Sequence, residues 1–327
     1  MKKMQLSYKY INLMITILLF FVLFALGSAL YTGFFSAQVL LNMLIDNAFL
    51  IITAIGMTFV LIIGGIDLSV GSLIALVCMF SAYLLEMQHL TPWVVIPAML
   101  LMGLVFGLIQ GSFIHFFNIQ PFIVTLAGMF LARGLCYVIS IDTIMITDPF
   151  YLFVATYRLP LPFDSFISIS VIIAFVLVLA ALYLINYTQF GRNLYAVGGN
   201  AQSALLMGLP VGKTKVLVYG LNGFCSALSG IVFSFYMLSG YGLHAVGLEL
   251  DAIASAVIGG TPLTGGVGFI TGTFFGVLIQ GVIQTIIMFQ GTLSSWWTKI
   301  AVAFLLCLFI VLQRIVIARK ERSKSIA

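Results

Sequence analysis

Long apolar runs, separated by short polar breaks, set the plan of this chain. The runs lie at about 11–30, 39–63, 68–85, 93–117, 122–140, 166–186, 213–238, 246–261, 267–289 and 296–317. Each approaches the roughly 20 apolar residues that a helix needs to cross a bilayer. None alternates apolar with polar residues, as the strands of a membrane barrel must. Lipid offers backbone groups no partner, so continuous apolar runs resolve as helices. The pattern predicts an all-α polytopic membrane helix bundle of about ten transmembrane segments. The run at 246–261 fits worst, being short and carrying Glu249 and Asp251.

The polar breaks carry the orientation. The stretch Tyr187–Lys215 contains Arg192, Lys213 and Lys215 and no acid. The N-terminus holds Lys2, Lys3 and Lys9, and the C-terminus holds Arg314, Arg319, Lys320, Arg322 and Lys324 against Glu321. The break at 141–165 is acidic, with Asp142, Asp148 and Asp164 against Arg158. Basic segments stay on the cytoplasmic side. Ten spans then place both termini and the 187–215 loop inside and 141–165 outside, where its prolines and aromatics can fold over the mouth of a path. No polar stretch is long enough for a second domain, so residues 1–327 read as one transmembrane domain.

Composition agrees with the pattern. Hydrophobic residues make up 62% of the chain and charged ones 7%, against roughly 25% charged in a soluble domain. The net charge of +5 follows from orientation and contact with lipid headgroups, and calls for no nucleic acid. Cys78, Cys136, Cys225 and Cys307 lie in apolar runs without metal-site spacing, and His89, His115 and His244 are scattered. No metal site is expected.

Within Tyr187–Lys215, Gly198 and Gly199 break the chain and Asn200 is a good N-cap for a short helix. Ala201, Ala204, Leu205 and Gly208 fall on one small, apolar face of it. The element reads either as a docking helix or as an ordinary connection. The run Gly208–Thr214 looks like a phosphate loop but has three residues between its glycines, where the nucleotide motif needs four after a strand. This chain is not expected to hydrolyse ATP.

Two glycine-rich breaks, Gly64–Gly71 and Ile258–Gly268, echo each other, as do the runs at 106–111 and 275–281. Both patterns suggest related halves. Each break is either a tight turn or a helix broken at membrane depth. Asp67 reads first as a helix cap, and after that as part of a path. Asp46, Asn47, Glu249 and Asp251 are costly to expose to lipid and are candidates for a translocation path or its gate; an interfacial position is the plainer alternative. Gln110, Gln280 and Gln284 suit either sugar hydroxyls or contacts between helices. Two glycine stripes, Gly103/Gly107/Gly111 and Gly268/Gly272/Gly276, predict close helix packing. Trp296 and Trp297, ahead of Lys299, predict an interfacial anchor.

The motifs AVGGN-AQSALLMGL (Ala196–Leu209), GGIDLSVG (Gly64–Gly71) and IGGTPLTGGVG (Ile258–Gly268) together resemble signatures of ABC-importer permeases of the ribose/galactose type, the carbohydrate uptake 2 family. The stretch around Asp46, ELDAIASAVIGG (Glu249–Gly260) and GTLSSWWTKIA (Gly291–Ala301) narrow the resemblance to permease subunits of galactofuranose importers. The resemblance implies a bacterial inner-membrane permease that translocates a monosaccharide, galactofuranose or a similar sugar. It implies a cytoplasmic ATP-binding subunit docked on the 187–215 coupling loop, so that ATP is used by the partner and the permease needs no cofactor. It also implies a periplasmic sugar-binding protein and a second permease subunit, in a heterodimer or a homodimer. The alternative is an ion-coupled secondary transporter of a small polar solute. That would need a titratable relay, and the interior acids are expected to lack basic partners; Arg133 is the basic candidate within a span.

Overall fold

The computed structural model describes residues 2–162, 164–292, 294 and 296–325. The side chains of the basic residues at both termini lie outside the described part. In chain order the elements are α1 (Lys2–Leu30), α2 (Ala37–Asp46), α3 (Ala48–Ile62), α4 (Val70–Glu86), α5 (Pro92–Phe116), α6 (Pro121–Ile139), β1 (Ile144–Met145), α7 (Pro149–Thr156), β2 (Arg158–Leu161), β3 (Ser165–Ser168), α8 (Ile169–Tyr187), α9 (Gln189–Gly199), α10 (Ala201–Leu206), α11 (Val211–Met237), β4 (Ser239–Gly240), α12 (Leu248–Ile258), α13 (Ile270–Gln290) and α14 (Trp296–Ser325).

Helices cover all the expected spans, but not as equals. Among the described residues, six helices are long and apolar enough to cross a membrane: α1, α5, α6, α8, α11 and α13. The pair α2 and α3 makes a seventh, bent by 59°. Helix α4 and the first part of α14 are apolar but shorter. Helix α12 has 11 residues and is about 17 Å long, roughly half the hydrocarbon thickness. The expected span at 246–261 is therefore a half-length helix that starts inside the bundle. Its acids and Gly247, at φ +83°, delay its start.

Helix α3 is the pillar of the bundle. Every residue in it except Phe49 is buried, enclosed by α8, α11, α12 and α13. Lipid is as apolar as a leucine core, so small residues and hydroxyls do the holding between membrane helices. The Thr53 hydroxyl donates to Ser229 Oγ at 2.8 Å, and Thr58 shares a hydrogen bond with Thr273 of α13 at 2.7 Å. The predicted stripe Gly103/Gly107/Gly111 packs on Gly223, Tyr219 and Val216 of α11. Gly272 and Gly276 likewise pack on Gly259 and Ser255 at the end of α12. Gly268, expected in the same stripe, precedes α13 and lies under Ile62 instead.

Both glycine-rich breaks are helix ends. Helix α3 closes with Gly65 N donating to Val60 O at 3.0 Å and Gly64 N to Leu61 O at 2.9 Å, with Gly64 at φ +74°. Helix α12 closes with Thr261 N on Ala256 O at 2.9 Å and Gly260 N on Val257 O at 3.0 Å, with Gly260 at φ +93°. Each is a Schellman motif, which needs a left-handed residue just past the helix. The echo is therefore structural, but offset by one: the first glycine of Gly64-Gly65 and the second of Gly259-Gly260 do the same work. The second sequence echo has no such counterpart, because Gly107 sits in α5, two helices after its break, and Gly276 in α13, one helix after.

The acidic break at 141–165 is more ordered than its composition predicts. Strand β1 pairs with β4, and β2 pairs with β3 in a hairpin. Asp148 caps α7, accepting from Phe150 N and Tyr151 N. Glu86, at the end of α4, accepts from Thr147 N, Thr147 Oγ1 and Asp148 N. This hairpin end and the end bearing α10 lie at opposite ends of α8.

Candidate functional site

Two regions carry the residues of interest. The first lies halfway along α13. Asn47, at the α2/α3 bend, reaches Gly281, while Gln280 Nε2 donates to Asp251 O at 3.0 Å and to Ser255 Oγ at 2.9 Å. Asp46, Asn47 and Asp251 thus share one level, about 15 Å up α13 from its start. Asn47 Nδ2 donates to Met43 O at 2.9 Å, so this residue finishes α2 and makes the bend. Asp46 Oδ1 accepts from the Tyr236 hydroxyl at 3.4 Å, and Tyr236 is half exposed. Glu249 and Asp251 sit in the first turn of α12, where the helix dipole favours acids.

Asp251 is ion-paired with Lys299 of α14, contrary to the expectation that the interior acids lack basic partners. Lys299 is half exposed and Asp251 much less so. The Glu249 carboxylate lies against Gly71 at the start of α4, where any Cβ would displace it; its Oε2 is buried without a hydrogen bond. Arg133 of α6 donates to Gly242 O at 2.5 Å and His244 O at 2.8 Å, tying down the non-helical approach to α12. Leu250, between the acids, is exposed.

The other expected path residues divide cleanly. Asp67 is buried and accepts from Ser69 N at 2.8 Å, Ser69 Oγ at 2.6 Å and Asn222 Nδ2 at 2.7 Å. It anchors the segment between α3 and α4 but does not cap α4, whose N-cap position is Ser69, so the expected cap is corrected to a buried tether onto Asn222 of α11. Gln110 is buried, with its Nε2 donating to Ser69 Oγ at 3.0 Å; Gln280 is buried on Ser255. Both join helices rather than facing open space. Gln284 is exposed. Tyr236 and Lys299 were missed as path candidates. An acid in an apolar run needs a partner, and that signal points to Lys299 once α12 and α14 are known to touch.

The second region is α9 and α10. Asn200 caps α10 as expected, its Oδ1 accepting from Ser203 N at 2.8 Å. The helix ends in a third Schellman motif at Gly208, with Leu209 N on Ala204 O at 3.1 Å and Gly208 N on Leu205 O at 2.9 Å. The expected small apolar face is split: Leu205 and Gly208 are exposed, but Ala204 is not. Ala204 is fully buried with Val197 and Val211, and Ala201 packs beside it. Their small size lets this short helix lie close on α9 and α11. The surface is instead a ridge of Leu205, Leu206 and Met207, which are 63%, 84% and 68% exposed, with Gly208 exposed beside them.

The adjacent glycines differ. At Gly198 a Cβ would overlap Ile62 O and press on Gly266 N, while at Gly199 it would meet open space. Gly266 N itself donates to Ile62 O at 2.8 Å, and the Tyr195 hydroxyl donates to Gly268 O at 2.7 Å. The Ala196–Leu209 and Ile258–Gly268 motifs meet here on Ile62, and Gly265 lies against Gly64 of the third motif, backbone on backbone. Among the described residues no cluster of three metal-ligating side chains exists.

Residues 39–312 match the family described as branched-chain amino acid transport system / permease component. This chain belongs to that family of permeases. The inner membrane ABC transporter permease protein YjfF of Escherichia coli K12 is 48% identical over 92% of this chain and 91% of its own length. The fructose import permease FruG of Bifidobacterium longum is 36% identical, over 97% and 94%. The ribose import permease RbsC of Haemophilus influenzae is 37% identical, over 87% and 88%. The family description names amino acids, whereas FruG and RbsC are named for sugars. No solved structure matches the chain. As a permease of this family, the protein is a multi-pass component of the inner membrane, a transport component rather than an enzyme. The ion-coupled alternative falls with that membership.

Proposed function

We propose that the chain is the membrane-spanning subunit of an ATP-driven importer for a monosaccharide, galactofuranose or a sugar of similar shape. The observation that carries the coupling half of this reading is the ridge Leu205–Leu206–Met207. Three large apolar side chains project from a well-capped helix at one end of the bundle, beside Arg192, Lys213 and Lys215 of the same break. An exposed apolar ridge of this kind suits a protein partner, and the coupling residues around it, Gly199, Asn200, Ala201, Ala204, Leu205 and Gly208, shape and support it. A separate cytoplasmic ATP-binding subunit docks there. Both termini are then cytoplasmic, and the hairpin end faces the periplasm, where a sugar-binding protein delivers its cargo. A second permease, identical or different, completes the path.

The sugar passes the level of Asp46, Tyr236, Glu249 and Asp251. The side chains of Asp46, Tyr236 and Asp251 are only partly buried there and suit hydroxyls, while their spacing favours weak contacts over a tight pocket. The sequence stretches shared with galactofuranose-type permeases, and relatives named for sugars, support a sugar over an amino acid. Three experiments test the reading. Leu206→Asp should insert normally and lose the ATP-binding subunit on copurification; retention of that subunit would sink the docking surface. In a cysteine-free background, an impermeant maleimide applied from the periplasm should label Thr156→Cys and spare Gln202→Cys. The reverse pattern refutes the orientation. Competition of radiolabelled galactofuranose uptake by ribose, fructose and branched-chain amino acids then sorts the cargo.

A further inference from the structure

At Gly198, α9 meets the membrane core backbone on backbone. Gly198 lies directly on the Ile62 carbonyl and the Gly266 amide, and those two groups are bonded to each other at 2.8 Å. From the other side, a Cβ at Gly266 would meet Gly198 O and Gly199 Cα, and one at Gly265 would meet Gly64 N and Ile62 O. Gly64, Gly265 and Gly266 all hold positive φ, so the three strands of backbone are fitted to one another. Tyr195 adds a strut from α9 to Gly268. Packed interiors deform by whole elements rather than continuously.

Two rods leave this joint. Helix α3 ends at Ile62 and begins at the level of Asp46 and Asn47. Helix α12 ends at Ile258, next to the segment that carries Gly265 and Gly266, and begins at Glu249 and Asp251. The two helices pack on each other.

We propose that the Gly198–Ile62–Gly266 contact is the transmission joint of this permease: displacement of α9 and α10 is passed through it to the ends of α3 and α12, and these helices carry it to the polar level. Gly198 and Tyr195 are positioning residues for that movement, and neither touches the cargo. The proposal rests on the reading that the ATP-binding subunit docks on α10.

The test uses the assembled complex in native membranes, with a cysteine-free permease carrying Leu250→Cys as a reporter. The probe is a charged maleimide, with and without ATP plus vanadate. Nucleotide should change the labelling rate of the otherwise wild-type reporter by about threefold or more, as expected for a population shift. Gly198→Ala should keep the ATP-binding subunit on copurification and lose that change. Tyr195→Phe should keep the subunit and show a reduced change. A wild-type labelling response in Gly198→Ala overturns the proposal, and so does a reporter that never responds to nucleotide. Loss of the subunit from Gly198→Ala also overturns it, because the contact then only shapes the docking surface. If Gly198→Ala fails to insert, Tyr195→Phe decides: an undiminished response there overturns the joint. Retention of the subunit by Leu206→Asp is a different failure, that of the docking reading, and leaves the labelling result to be judged separately.

Discussion

Helices α3 and α12 end alike and begin differently. Both close on a left-handed glycine: Gly64, against Gly265, and Gly260, at the head of the segment that carries Gly265 and Gly266. At its other end α3 continues from α2 through Asn47, whose side chain completes the bend, and it is buried almost throughout. Helix α12 starts after a non-helical approach at Gly247, with no side-chain cap. Its first turn exposes Leu250 and holds two acids, one tied to Lys299. The difference separates a post from a lever. The post is fixed by close packing and hydroxyl contacts; the lever is restrained at its start by one ion pair, by Gln280 on Asp251 O and by Arg133 of α6 bonding to the preceding loop.

The comparison can be broken most forcefully at Gly56. A side chain there meets Asn222 Oδ1 and Cys225 Cβ, both in α11. Gly56→Leu should cost more than the about 1–3 kcal/mol typical of overpacking, leaving little protein in the membrane fraction. A normal yield would show that α3 is less fixed than its burial suggests. At α12 the charges matter more than packing. Lys299→Met leaves Asp251 alone inside the bundle, at up to about 3 kcal/mol on insertion scales. It should lower the detergent melting temperature, and Asp251→Asn added to it should restore most of the loss. If the double variant is no better than the single, the pair is not what holds α14 to α12.

Smaller effects sharpen the contrast. Thr58→Val removes one hydroxyl contact between α3 and α13, worth about 0.6 kcal/mol in membrane bundles, and should shift melting slightly without changing uptake. Tyr236→Phe removes a long hydrogen bond to Asp46 on the cargo side. It should leave melting unchanged and alter uptake of a labelled sugar about twofold, in keeping with a weak contact. A larger change in melting than in uptake would move Tyr236 from the path to the scaffold.

Much of the helical plan was legible because lipid imposes it: apolar runs of sufficient length leave few alternatives. Asn200 as a cap and the Gly103/Gly107/Gly111 stripe were legible for the same local reasons. The half-length of α12 was visible only as a misfit, since Glu249 and Asp251 interrupt a run without saying where the helix starts. The small face of α10 was right for Leu205 and Gly208 and wrong for Ala204, because a helical wheel cannot tell which side carries the neighbours. Small Ala204 fits the crowded side, and large Leu206 is left outside. Gly198 and Gly199 look identical in sequence; only the approach of Ile62 and Gly266, far away in the chain, distinguishes them. Part of the order in the 141–165 break comes from residues outside it, Glu86 at the end of α4 and the strand Ser239–Gly240.

Helix α1 precedes the family match, which begins at residue 39, yet its Thr16 hydroxyl donates to Ile258 O at 2.6 Å, and Phe20 meets Phe275 edge-on. During synthesis α1 must leave the ribosome more than two hundred residues before that carbonyl exists. It therefore waits in the bilayer, held by lipid and by whatever chaperones the insertion machinery supplies, until α12 and α13 arrive. A version of the protein trimmed to the matched region would lack this late-closing clasp. It should insert its remaining helices, yet be degraded faster in a pulse-chase than the full chain, because α13 would lose the helix packed along it and the Ile258 carbonyl its Thr16 donor.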